Sequence, residues 1–145
     1  MTQTLLQLTF LKRYQHVSNL LLRLGVGSFL VWGVWDNIAS AARMQEFVGF
    51  LENFGFIYPE FMAYLTVWVQ FFIGCAFMTG LCVRWAGALC VLNFLVAIVM
   101  VDSVSGVRAS FPSLCLILIS LHLMTSGAGK MSLDAVLCEN KARKN

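Results

Sequence analysis

The chain has 145 residues, of which 59% are apolar and only 12% charged, and its mean hydropathy is +0.80. These values fall outside the range of soluble domains and predict an all-α integral membrane protein: a single domain, 1–145, built as a four-transmembrane-helix bundle. The net charge of +3 includes no basic run long enough to hold nucleic acid, so the expected electrostatic partner is an anionic lipid surface.

A bilayer span needs about twenty mostly apolar residues. The first predicted span covers 17–38, behind Lys12 and Arg13. Although "ASA" at 39–41 resembles a cleavage site, Arg23 breaks the apolar core, so the segment reads as a retained span rather than a signal peptide. In "SAARMQEFVGFLENFG", Met44, Phe47, Val48, Leu51 and Phe54 recur at helical spacing while Gln45, Glu46, Glu52 and Asn53 fall elsewhere on the wheel. This predicts an interfacial amphipathic helix over 41–54, capped by Ser40 and stopped at Gly55, with Pro59 setting the entry to span two.

Spans two, three and four follow at 61–81, 85–104 and 110–126, the last of them short. In "TSGAGKMSLDAVL", Gly127 and Gly129 end the fourth span, and the short tail 130–145 opens with Lys130 among headgroups. Ser132 is placed to cap a tail helix whose first turn carries Asp134. Lys12, Arg13, Arg84, Lys130, Lys141, Arg143 and Lys144 fall on one side of the predicted membrane, against Arg43 and Arg108 on the other. The asymmetry predicts both termini in the cytoplasm, and for a bacterium an inner-membrane protein with a periplasmic lid carrying Glu46, Glu52, Glu60 and Asp102.

Polar side chains inside spans must find partners, which makes them candidate functional residues. Each span has one: Arg23, Gln70, Asn93 and His122. The helical wheels place Arg23 with Asn19 and Gly27, Gln70 with Gly74, Asn93 with Ala86, Cys90 and Ala97, and His122 with Cys115 and Ser126, small neighbours that let helices approach. Two readings stand. The residues are packing glue, with Arg23 snorkelling to the cytoplasmic interface, or they converge on a polar ligand site such as one for a quinone head.

Asp36 at the outer end of span one is a further candidate, for a proton or an external cation, against the plainer reading of a solvated helix-end carboxylate. Trp32, Trp35 and Trp68 read as interfacial anchors. A haem pair needs a second placed histidine, and His16 lies at the mouth of span one, so haem is not favoured. No Cys, His or carboxylate set stands at metal-ligand spacing. The five cysteines form no C-x-x-C and read as small apolar side chains.

Several stretches resemble the DoxX family of small bacterial membrane proteins. They are "LLLRLGVGSFLVWGVWDNI", with an Arg opening the span and Gly33 near its end, "VQFFIGCAFMTGLCVRWAGALCVLNFLVAIVMV", and the "GAGKMSLD" signature. The resemblance implies a four-helix membrane bundle linked with redox systems. One branch of the family is similar to a subunit of thiosulfate:quinone oxidoreductase, and other members accompany detoxifying or metal-handling proteins. Where members often carry an acidic residue in the second helix and a Lys near the end of the first, this chain has Gln70 and Asn37. A neutral hydrogen-bonding role at these positions stays open.

Three functions follow as expectations. The first is an accessory or quinone-interacting subunit of a membrane redox or stress-response system. The second is a non-enzymatic scaffold or assembly factor that docks a protein partner, with self-association open. A small-solute permease ranks third, since no internal repeat is visible. No nucleophile and base stand at recognisable spacing and no cofactor fingerprint is present, so the chain does not read as an enzyme acting alone.

Overall fold

The computed structural model describes residues 13–102 and 106–142. Lys12, Arg143, Lys144 and the predicted end of span three at Val104 lie outside them, as do the side chains of Asp102, Cys138 and Lys141. The helices in chain order are α1 (Gln15–Ala39), α2 (Ala41–Asn53), α3 (Pro59–Thr79), α4 (Val83–Ala97), a π-helical segment (Ile98–Asp102), α5 (Val107–Ser126) and α6 (Leu133–Ala142). No strand occurs among the described residues. Four helices are long and apolar enough to cross a membrane, namely α1, α3, α4 with most of the π segment, and α5. The protein is a multi-pass all-α membrane bundle.

The outer surface follows from its solvent. Trp32, Trp85, Phe72, Leu92 and Leu118 are all exposed on the spanning helices, as apolar side chains facing a bilayer are. Lipid tails are as apolar as leucine, so helices in a bilayer are joined by close van der Waals packing and polar contacts rather than by hydrophobic burial. The two tightest helix pairs, α1 with α3 and α4 with α5, use this rule. A Cβ on Gly27 would lie 2.7 Å from the carbonyl oxygen of Gly74, and one on Gly74 would lie 2.8 Å from that of Gly27. Between α4 and α5, a Cβ on Gly87 would lie 2.9 Å from the Ser120 carbonyl oxygen. In both crossings backbone meets backbone, which glycine alone permits.

The amphipathic helix α2 folds back over one end of the bundle, hereafter the lid end. Met44, Val48 and Leu51 are buried against Val34 of α1 and Ala63 and Val67 of α3. Its C-terminus closes as a Schellman turn: the N–H of Gly55 bonds the Glu52 carbonyl at 3.0 Å and that of Phe56 the Leu51 carbonyl at 3.2 Å, with Gly55 at φ +73°. Phe56 and Leu51 meet in the same apolar cluster, as that motif favours. Ser40 occupies the N-cap position without a side-chain capping bond. The opposite end, hereafter the tail end, carries the start of α1, the α3–α4 turn and α6. Arg13, Arg84 and Lys130 stand at the tail end, whereas Arg43, Glu46, Glu52 and Glu60 stand at the lid end.

Gly74→Val is expected to force α1 and α3 apart and to lower the thermal unfolding temperature in detergent. The overpacking cost is about 1–3 kcal/mol or more, because the clash is with backbone. Gly49→Ala in α2, where nothing lies within 4 Å, should be neutral or stabilising by about 0.5–1 kcal/mol on the same assay.

Candidate functional site

The four intramembrane polar residues do not converge; the fold divides them between the two ends. Arg23, about two turns into α1, is 1% exposed. It does not snorkel. Its Nη1 donates to the carbonyl oxygen of Ala128, and its Nη2 to that of Met131 at 3.0 Å. One turn earlier, Asn19 Nδ2 donates to the Gly127 carbonyl at 3.1 Å. The glycine-rich segment after α5 therefore arches over the start of α1 and presents a row of carbonyls to it. Gly127 and Gly129 hold φ of +73° and +75°, which lets the segment curl in this way.

The same segment ties down the neighbouring turn. Ser132 Oγ accepts the N–H of Ala135 at 3.2 Å and donates to the Gly129 carbonyl at 2.7 Å, the cap predicted for the tail helix. Asp134 does more than favour its own helix dipole. Its Oδ1 accepts the N–H of Cys82 at 2.8 Å and its Oδ2 that of Val83 at 3.2 Å, so it caps α4, while its own N–H donates to the Gly80 carbonyl at 3.1 Å. Gly80 sits between the parts. A Cβ there would lie 2.7 Å from Ser132 Cβ and 2.8 Å from Arg23 Nη1. Cys82 takes a left-handed φ of 51°, an uncommon state for a non-glycine residue, at the point where Asp134 holds it.

At the lid end, Gln70 and Asn93 line a cavity of about 180 Å³ beneath α2. Phe47, Phe50, Phe56 and Phe94 wall it, and Thr66 adds a hydroxyl. Gln70 Nε2 reaches across to the Leu30 carbonyl of α1 at 3.4 Å, a weak contact made beside Gly33, where a Cβ would lie 3.5 Å from that nitrogen. Asn93 makes no side-chain hydrogen bond among the described residues and lines the cavity. Asn93, Ala97 and Val101 face the cavity at four-residue spacing, and the last of them lies in the π segment.

His122 is exposed and belongs to neither group. It lines a separate groove at the tail end together with His16, Ser18, Asn19 and Ser126. Sequence spacing had set His16 aside as lying at the mouth of span one, and helix periodicity gives no sign that α1 and α5 bring the two histidines to one groove. Asp36 is exposed on the last turn of α1 and lines none of these cavities. Among the described residues no group of three or more His, Cys, Asp or Glu is placed to hold a metal ion. Cys75, Cys82, Cys90 and Cys115 are free thiols.

Residues 18–103 match the DoxX family. The chain belongs to that family. No curated protein and no solved structure matches it. The DoxX match takes in Arg23, Gln70 and Asn93 and stops before α5, so both His122 and the carbonyls that hold Arg23 lie beyond the matched segment.

Arg23→Leu leaves two buried carbonyls without their charged donor and is expected to cost about 2–4 kcal/mol, read as thermal stability in detergent. Arg23→Lys should restore little of it, because one ammonium does not reproduce a planar fork that reaches two acceptors. Asp134→Ala removes the α4 cap at about 1 kcal/mol and should speed proteolysis of the tail.

Proposed function

We propose that this DoxX-family protein is an accessory, quinone-interacting subunit of a membrane redox or stress-response system. In this reading it lies in a bacterial inner membrane with both termini in the cytoplasm. The lid cavity carries the reading. A quinone head is a flat ring with carbonyl oxygens that only accept hydrogen bonds. The cavity offers flat apolar walls from Phe47, Phe50, Phe56 and Phe94, and donors from Gln70, Asn93 and Thr66. Its volume of about 180 Å³ is below the range of about 300–1,000 Å³ for pockets that enclose a whole ligand, which suits a ring whose tail stays in lipid. When bound, a quinone supplies two-electron redox chemistry; the residues named here bind and orient its ring.

The charge asymmetry between the ends supports the orientation, since Arg13, Arg84 and Lys130 share the tail end. The same arrangement sets exposed Glu52 and Glu60 on the lid side, where a soluble redox partner would dock.

Protein purified from native membranes should retain quinone in its lipid extract. Gln70→Leu and Asn93→Leu should each lower retention about three- to tenfold, the loss of one hydrogen bond of about 0.5–1.5 kcal/mol. His122→Leu, at the far end, should leave it unchanged. Equal retention in all four proteins would remove the site. A reporter fused to the C-terminus that is active only outside the cytoplasm should stay silent, and activity there would reverse the orientation.

A further inference from the structure

The groove at the tail end is unused by the reading above. It has a volume of about 510 Å³, within the range of ligand sites, and opens between the start of α1 and the end of α5. Its polar wall is made of hydrogen-bonding groups: the imidazoles of His16 and His122, the hydroxyls of Ser18 and Ser126, the amides of Gln15 and Asn19, and Tyr14. None of the lining side chains among the described residues is a carboxylate. Two exposed cations flank it, Arg13 next to Tyr14 and Lys130 next to Gly129. The first turn of α1 lies along the groove and carries no acidic residue. With two cations beside it and no carboxylate in its described lining, the groove favours an anion.

The setting specifies what kind of anion. The groove lies at the tail ends of α1 and α5, two of the helices long and apolar enough to cross a membrane, with Leu22 in its lining and Leu21 and Leu121 exposed on the same helices. A molecule placed here meets hydrogen-bonding groups in the groove and exposed apolar side chains on the helices beyond it. We propose that the groove is a binding site for the phosphate headgroup of an anionic glycerophospholipid, with His16, His122, Ser18 and Ser126 donating to phosphate oxygens and the acyl chains lying along α1 and α5. The lipid would then bridge the first and last spans beside the Arg23 clamp. This site is independent of the lid cavity.

The test is native mass spectrometry of the full chain in neutral detergent, titrated with phosphatidylglycerol or phosphatidylcholine. One phosphatidylglycerol should stay bound at concentrations where phosphatidylcholine does not. The double variant His16→Ala/His122→Ala should lose that preference by about tenfold, as expected when hydrogen bonds to a charged group are removed. Both positions are exposed, so the fold should persist; if the double variant fails to fold, the single variants carry the same comparison. Displacement of the lipid by inorganic phosphate would assign the site to a free phosphate and overturn the lipid assignment. Equal binding of the two lipids, or unchanged preference in the variants, would overturn the site itself.

Discussion

A guanidinium in a membrane span must be paired with something, and in this protein Arg23 is paired with main chain. The carbonyls of Ala128 and Met131 take its two outer nitrogens, and much of the tail end is arranged so that they can. Gly127 and Gly129 curl the segment, Gly80 leaves room for the guanidinium, and Ser132 and Asp134 pin the segment to α6 and α4. Removing an isolated charge from water costs several kcal/mol even after relaxation, and this set of contacts offsets that cost for Arg23.

The middle of the bundle separates what happens at its two ends. One turn beyond Arg23, the Gly27–Gly74 crossing brings α1 and α3 into backbone contact, while the tail groove is lined from α1 and α5 and the lid cavity from α2, α3, α4 and the π segment. The lid cavity and the tail groove are therefore built from different side chains and open at different levels of the membrane. DoxX membership accounts for the shared helical frame through the third span. The polar equipment of each end is read from this chain's own residues.

Much of the frame was legible in the sequence because it follows from local rules. Hydropathy placed the spans, period 3.6 found Met44, Val48 and Leu51 on the buried face of α2, and Gly55 marked where that helix stops. Partners distant along the chain were not legible. Arg23 and its acceptor Ala128 are 105 residues apart, and no periodicity links them. Snorkelling was the local expectation for Arg23; burial won because a carbonyl-rich turn arrived from the other end of the chain. Asp134 was assigned to its own helix by proximity, whereas the fold uses it on the N–H groups of Cys82 and Val83. The π segment carries no compositional mark in "IVMVD" and so could not be foreseen.

The Arg23 contact also sets a sequence of events during biosynthesis. The chain is made from its N-terminus, so the first span reaches the bilayer with its arginine while residues 128 and 131 have yet to be synthesised. Until they appear, α1 carries a charge with no protein acceptor of its own, and water or lipid headgroups must stand in. The carbonyls of Ala128 and Met131 then act as a latch, because they can close on Arg23 only after the segment that follows the fourth span has been made.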